Sequence, residues 1–159
     1  MCIRDSYYRY IYRYTIGSNG CINNSYSSRI YVGGWYYSYG MDHHPSNEFI
    51  LYGNDWTNHR VSKVTLNSSK NGTSSIKNVG RYGRTASKTG NVRMYYAWGL
   101  TVDKVNNRVL SSNYHKQSVN AFDLDLNFDK EFGGSAGTRM TGAHEAIQSI
   151  VTDLSLIHI

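Results

Sequence analysis

Hydrophobic and polar residues alternate along much of this chain, which is the pattern of β-strands with one buried face. In residues 8–16 every second position from 8 to 14 is a tyrosine, and Ile11 falls on the opposite face. Residues 60–66 and 118–124 show a related pattern, and all three segments end in an aliphatic residue. We therefore predict a strand in each of the three segments.

Two further kinds of strand recur around these segments. A short strand that ends near a glycine follows each of them, at 29–34, 75–80 and 130–134, and an inner strand comes later, at 39–41, 97–103 and 149–153. Equivalent positions recur after 50 to 59 residues, which indicates a long-period repeat. The repeat predicts a unit of four antiparallel strands with loops of variable length. Residues 143–151 also fit a short helix, but the match between 149–153 and 99–103 favours a strand there.

The composition supports an all-β protein with polar turns. The 159 residues include 15 glycines, 15 tyrosines and one proline, and long helical patterns are few. The net charge of +6 permits an anionic partner, although ordinary solubilising charge is the simpler explanation. Apolar runs are too short for a transmembrane helix, so we predict no membrane span.

The two ends of the chain are related at the level of DNA. Residues 154–159 can be encoded by a sequence whose reverse complement encodes the Met-Cys-Ile-Arg-Asp of residues 1–5. This element resembles the transposase end sequence used in sequencing libraries. We therefore expect residues 1–6 and 154–159 to be library-derived and exclude them from the prediction of the fold. Residues 7–153 are then expected to be a piece of a longer chain, truncated at both ends.

One turn in the repeat has the pattern of a known family. Residues 55–61 read Asp-Trp-Thr-Asn-His-Arg-Val and are preceded by Phe-Ile-Leu-Tyr at 49–52, which resembles the NHL repeat of β-propellers. A second copy opens with Gly-Leu-Thr-Val-Asp at 99–103, and its turn is degraded to Lys-Gln-Ser-Val at 116–119. The resemblance covers most of 7–153. It implies a partial β-propeller with about two full four-stranded antiparallel blades, flanked by partial blades.

The chemistry of the turn residues favours a structural role. Asp55 and Asn58 bracket a tight turn, where short polar side chains hydrogen-bond to nearby backbone amides. Val61 is expected to point into the blade core and Arg60 to the opposite face. We therefore assign Asp55, Asn58, Arg60 and Val61 to the architecture of the blade.

Loops at one rim of the predicted blades are rich in basic and aromatic residues. In an antiparallel meander, the turn between the second and third strands lies at the same end as the connection to the next unit. The candidate ligand-binding residues on this rim are Trp35, Tyr37, Trp56, His59, Arg81, Tyr82, Arg84, Lys88, Arg93, Tyr114, His115 and Lys116. Such side chains suit contacts with phosphate or carboxylate groups and stacking on bases or sugar rings. In the alternative interpretation, Trp35, Tyr36 and Tyr96 pack between blades and the cations are solvated.

The sequence shows no catalytic or metal-binding constellation. His43 and His44 are adjacent but are predicted on the rim opposite His59 and His115, and no His or Cys pair has ligand spacing. We predict no metal, no cofactor and no catalytic residue in this segment. The predicted function is a non-enzymatic scaffold that binds a macromolecular partner, either a protein or an anionic polymer such as nucleic acid or acidic glycan. The alternative is a fragment of a propeller hydrolase or lyase whose metal ligands lie in other blades.

Overall fold

The computed structural model describes residues 2–4, 9–33, 35–82, 92–116 and 118–133. The strands are β1 Cys2–Arg4, β2 Tyr10–Ile16, β3 Ile22–Tyr31, β4 Met41–His43, β5 Ile50–Asp55, β6 Arg60–Leu66, β7 Thr73–Val79, β8 Arg81–Tyr82, β9 Arg93–Met94, β10 Ala97–Asp103, β11 Arg108–Asn113, β12 Ser118–Asp123 and β13 Phe128–Gly133. A single 3-10 turn, Tyr114–Lys116, is the only helical element in these ranges. Within the same ranges no helix could cross a membrane.

The strands form three antiparallel sheets in which neighbours along the chain are also neighbours in space. The first sheet has the order β1-β2-β3, the middle sheet β4-β5-β6-β7 and the third sheet β10-β11-β12-β13. Strands β8 and β9 form a short parallel pair. The all-β class and the four-stranded antiparallel sheets predicted from the sequence are thus confirmed.

Some strands have the predicted bounds and others differ from them. β6 and β10 span 60–66 and 97–103, as predicted. β3 begins at Ile22 rather than near 29, because a polar segment without clear alternation pairs with β2 through an irregular register. The inner strand expected at 39–41 begins at Met41, since the preceding backbone amides donate to a side chain instead of to a neighbouring strand. The element predicted at 143–153 lies outside the described residues.

Strand β1 belongs to the segment expected to be library-derived. Cys2–Arg4 pairs with residues 12–14 of β2 in an antiparallel register. An open sheet edge presents unpaired backbone groups that pair with any extended segment. A library-derived segment would therefore pair with the edge of β2 through the same backbone hydrogen bonds as a native strand.

The middle sheet is buried on both faces. One core joins it to the first sheet and contains Leu51, Val64, Leu66, Ile11, Ile30, Val32 and Trp35. The other core joins it to the third sheet and contains Tyr52, Val61, Val92, Met94, Ala97, Leu100, Val102, Val109, Phe122 and Leu126. Alternation along β5 sends Leu51 and Tyr52 into opposite cores. Each fully buried side chain of this size contributes roughly 1.5–3 kcal/mol, so apolar burial holds the three sheets face to face.

Polar contacts fix the inner strands β4 and β10 beside each other. Asp42 Oδ2 accepts hydrogen bonds from the backbone N–H of Val102 at 2.8 Å and from Thr101 Oγ1 at 3.3 Å. The backbones approach closely at Gly40, where an added Cβ would lie 2.4 Å from the backbone nitrogen of Leu100. These contacts between the two inner strands therefore set the relative position of the middle and third sheets.

Candidate binding surface on one rim

The loops that precede β4 and β10 and follow β5 and β11 meet at one end of the middle and third sheets. Ten described rings contact one another there, and we call this cluster the aromatic rim. Its members are Tyr37, Tyr39, Trp56, His59, Tyr82, Tyr95, Tyr96, Trp98, Tyr114 and His115.

Both sheets build this rim with the same hydrogen bond. The backbone N–H of Tyr36 donates to Asp55 Oδ1 at 3.2 Å, and that of Tyr95 donates to Asn113 Oδ1 at 2.8 Å. Tyr95 lies 59 residues after Tyr36, and Asn113 lies 58 residues after Asp55. The repeat seen in the sequence is therefore also a repeat of side-chain-to-backbone contacts.

The residue that follows each of these tyrosines has a left-handed backbone. Tyr37 has a φ of 52° and Tyr96 a φ of 64°, a conformation that bulky L-residues rarely adopt. Their carbonyl oxygens accept hydrogen bonds from the backbone N–H groups of Trp56 at 3.3 Å and Tyr114 at 2.9 Å. Such surrounding contacts are what allow a strained conformation to persist. The strained turn therefore places a tyrosine at the equivalent point of the rim in both sheets.

Asp55 organises the turn between β5 and β6. Its side chain is fully buried, Oδ1 accepts from the backbone N–H of Asn58 at 3.2 Å, and Oδ2 accepts from Asn58 Nδ2 at 2.7 Å. Arg60 contacts Oδ2 through Nε at 3.1 Å and Nη2 at 3.0 Å. Burial raises the pKa of Asp55, and the hydrogen bonds from Asn58 and the charge of Arg60 oppose this effect. Val61 points away from the turn into the core shared with the third sheet.

Three rings of the rim form a stack that crosses from one sheet to the next. Tyr39 lies on Trp98 with centroids 4.4 Å apart and planes 5° apart. Tyr114 stacks on Trp98 at 4.9 Å and 23°. Among the described side chains no ring contact joins Tyr39 to Tyr114, so they cover opposite faces of the indole. Trp56 meets Tyr39 and Trp98 edge to face, at 6.4 Å in each case.

A second part of the rim surrounds His59. Its Nδ1 accepts a hydrogen bond from the backbone N–H of Tyr96 at 3.0 Å, so the neutral ring carries its proton on Nε2. The rings of Tyr82 and Tyr96 lie 4.8 Å and 4.6 Å from it. Burial lowers the pKa of His59, and the charge of Asp55 opposes this effect. The histidine thus joins the middle sheet to the loop that leads into the third.

Two arginines accompany the exposed ring of Tyr82. Strands β8 and β9 pair in parallel and bring Arg81 beside Arg93. The guanidinium of Arg93 donates to the carbonyl oxygen of Tyr82 at 3.0 Å, and the tyrosine is 57% exposed. Asp55, the acidic residue of the adjacent turn, is buried and ion-paired. This end of the rim therefore has positive potential.

Comparisons with known proteins give a likeness of fold. No protein-family model and no curated protein matches the sequence. A luciferin-regenerating enzyme superposes over 77% of this chain and 36% of its own, with a TM-score of 0.52 and 11% identity. A functionally unknown protein from Desulfotomaculum acetoxidans DSM 771 superposes over 82% of this chain and 37% of its own, with a TM-score of 0.54 and 12% identity. The likeness shows the fold alone. The chain spans little more than a third of either protein.

The structure brings together most of the binding residues predicted from the sequence. Tyr37, Trp56, His59, Tyr82, Tyr114 and His115 belong to the aromatic rim, and Arg81 and Arg93 flank it. Trp35 does not lie on this surface: it is 1% exposed and packs over Gly53, where an added Cβ would lie 2.2 Å from the indole. It is a core residue, and its assignment to the binding surface is corrected. Arg84, Lys88 and the side chain of Lys116 lie outside the described part of the chain.

Three rings with central positions were absent from the predicted binding residues. They are Tyr39, Tyr96 and Trp98. A signal for them existed in the sequence, because residues 36–40 read Tyr-Tyr-Ser-Tyr-Gly and residues 95–99 read Tyr-Tyr-Ala-Trp-Gly. Aligning these segments would have shown an aromatic residue two positions after the second tyrosine of each segment.

The described rim has groups for binding but no metal centre. No three His, Cys, Asp or Glu side chains in the described ranges could hold a metal ion together. His43 lies at the far end of β4 and pairs with Asp42 at 3.1 Å. The chemistry that the rim does offer is ring stacking and attraction of anions.

Proposed function

We propose that the chain is part of an NHL-type β-propeller that acts as a non-enzymatic binding scaffold. Three observations support the propeller: the long-period repeat, the face-to-face packing of successive four-stranded sheets, and the contact between inner strands through Asp42 and Val102. In such a fold each sheet is a blade, and the inner strands line a central channel. The middle sheet, covered on both faces, then corresponds to a complete blade.

The observation that carries the binding role is the aromatic rim. Aromatic side chains of this size are usually buried, yet Tyr39 and Tyr82 are 46% and 57% exposed within a continuous cluster. Contiguous exposed apolar surface marks interaction sites more often than scattered single residues do. Arg81 and Arg93 add positive charge at one end, so the rim suits a partner that presents rings, anionic groups or both.

The partner class includes proteins, glycans and nucleic acids. All three can supply planar or apolar faces for stacking on Tyr, Trp and His rings. Acidic glycans and nucleic acids would also engage the two arginines, and their affinity would then fall with salt.

An enzyme is the second candidate. One protein of similar fold is a luciferin-regenerating enzyme that is longer than this chain. A metal-dependent hydrolase or lyase would need its metal ligands in residues other than the described ones, since no metal-binding group of side chains occurs among these.

The test compares substitutions on the two rims. Purified full chain is titrated with neutral oligosaccharides, heparin and single-stranded oligo(dT), and the measurements are repeated with Tyr39→Ala and with Arg81→Ala/Arg93→Ala. Val105→Ala is the matched control, because Val105 is 62% exposed in the β10–β11 turn at the opposite rim. We expect the rim variants to weaken a bound ligand about tenfold, a difference of ~1.4 kcal/mol, with no effect of the control.

Two results would contradict the proposal. Equal affinities for wild type and all rim variants would place binding elsewhere. Turnover of ester or lactone substrates with no ligand binding at the rim would favour the enzyme.

A further inference from the structure

The stack of Tyr39, Trp98 and Tyr114 ends in a ring with one open face. Both faces of Trp98 are covered by tyrosines. Among the described rings Tyr39 stacks on Trp98 alone and meets Trp56 edge to face, and it is 46% exposed. Its second face is therefore available to a flat ligand.

The backbone holds this open ring in a fixed position. The N–H groups of Tyr39 and Gly40 both donate to Asn54 Oδ1 at 3.0 Å, and Asn54 is fully buried. The close approach of Gly40 to the backbone of Leu100 leaves no room for movement toward the third sheet. A ring that is already fixed loses little conformational entropy when a ligand binds, which favours affinity.

Among the described residues no cation lies over a ring of the stack. Among the described residues the cations that lie over aromatic rings contact Tyr36, Tyr10, Phe49 and Phe132, and none contacts the stack. Arg60 is engaged by Asp55, and the paired Arg81 and Arg93 lie beside Tyr82. A polyanion needs cations along its backbone to replace released counterions, and the described residues place none on the open face of Tyr39.

We infer that the open face of Tyr39 is a subsite for a pyranose ring of a neutral glycan. This inference deepens the proposed binding function and rests on it. The face of a tyrosine ring is the negative side of its quadrupole, and the axial C–H groups of a pyranose carry partial positive charge. A sugar ring lying flat on Tyr39 would extend the stack by one member and needs no ion pair with the described residues.

The test measures binding of three neutral hexasaccharides, cellohexaose, maltohexaose and xylohexaose, by the full chain. Calorimetry and tryptophan fluorescence report the affinity, since Trp98 and Trp56 adjoin Tyr39. We expect at least one hexasaccharide to bind with an affinity that changes little between about 50 mM and about 500 mM NaCl, because no ion pair forms. Tyr39→Ala and Tyr39→Leu should weaken it about tenfold through loss of the ring face. Tyr39→Trp should keep it, and Val105→Ala, in the β10–β11 turn at the opposite rim, should leave it unchanged.

The controls separate this inference from the proposed function. Thermal melting shows whether each variant is folded, and the Leu variant retains apolar volume if the Ala variant is unstable. Binding of oligo(dT) or heparin alone, sensitive to salt and to Arg81→Ala/Arg93→Ala, would overturn the neutral-glycan subsite and leave the scaffold function intact. Hexasaccharide binding that is equal in wild type and both Tyr39 truncations would also overturn the subsite. Absence of binding to any of these ligands would count against both proposals.

Discussion

Removing the guanidinium of Arg60 tests how much the stability of the protein depends on neutralising the buried carboxylate of Asp55. The carboxylate of Asp55 is fully buried, while the Arg60 side chain is 22% exposed. Five contacts surround the carboxylate: the backbone N–H groups of Tyr36 and Asn58, Asn58 Nδ2, and two from Arg60. Arg60→Ala removes the two charged contacts and leaves three neutral donors.

The expected loss of stability in Arg60→Ala follows from the contacts that remain around the Asp55 carboxylate. Breaking a buried ion pair by removing one partner typically costs ~3–5 kcal/mol, because a buried charge is left uncompensated. The three remaining hydrogen bonds and the partial exposure of Arg60 place the expected loss near the lower end, about 2–3 kcal/mol in the free energy of unfolding. Asp55→Asn removes the charge and should cost about 1–2 kcal/mol, and in the Arg60→Ala background it should cost less or restore stability.

Urea unfolding followed by tryptophan fluorescence measures all four members of this double-mutant cycle. Arg81→Ala is the control, since this exposed arginine has no carboxylate partner among the described residues, and a surface substitution should change stability by no more than about 0.5 kcal/mol. Burial already raises the pKa of Asp55, and loss of Arg60 would raise it further. The folded variant then keeps the Asp55 proton over a pH range in which the folded wild type has lost it, so the cost of Arg60→Ala should grow as pH rises from the folded pKa of the wild type through the higher folded pKa of the variant. Additive costs in the cycle, or a cost independent of pH, would refute the reasoning.

Other predictions follow from the same contacts. Burial lowers the pKa of His59 below 6.5, so its contribution to stability is present above pH 6.5 and is lost as pH falls from there through the folded pKa; urea unfolding across that range should show less pH dependence for His59→Gln. Gly40→Ala should cost ~3 kcal/mol, because its Cβ would lie 2.4 Å from the backbone of Leu100, whereas Gly33→Ala meets an ordinary contact at 3.4 Å and should change the melting temperature little. Trp35→Ala should cost ~3–5 kcal/mol as a core truncation, and an effect under about 1 kcal/mol on unfolding would contradict the core position.

Strand alternation and the repeat were sufficient to predict the class of fold. β6 alternates between Val61, which packs against the third sheet, and Val64, which packs against the first. A strand buried on both faces in this way has a clear sequence pattern, and its bounds agree with the prediction. β3 has no such pattern, because its residues between 22 and 28 are mostly polar and pair with β2 through a shifted backbone register. Backbone hydrogen bonds form with almost any residue type and produce no sequence pattern, so the sequence could not indicate where this strand begins.

The candidate site was only partly predictable, because the type of a residue does not show whether its side chain points into the core or onto the rim. Trp35 and Trp56 belong to loops at the same rim, yet one fills the core over Gly53 and the other stacks on Tyr96. Between Trp35 and β4 the chain passes through Tyr37, whose backbone is left-handed. A non-glycine residue with positive φ has no sequence signature here, because it is held by contacts with Trp56 that exist only in the folded chain.

The comparison of Asp55 with Asn113 explains why a degraded motif can keep the same turn. The turn requires an oxygen that accepts the N–H of a tyrosine, and a carboxylate and an amide both provide one. The charge of Asp55 is needed only where Arg60 accompanies it, and Ser118 stands at the equivalent position in the third sheet. The type of aromatic ring also differs between the two sheets, since Tyr39 and Trp98 occupy equivalent positions and stack on each other. If the backbone turn is held by an oxygen acceptor and a left-handed tyrosine, the ring two positions later can vary without loss of the fold. Under the proposed function, the ligand preference of the rim would then differ from sheet to sheet.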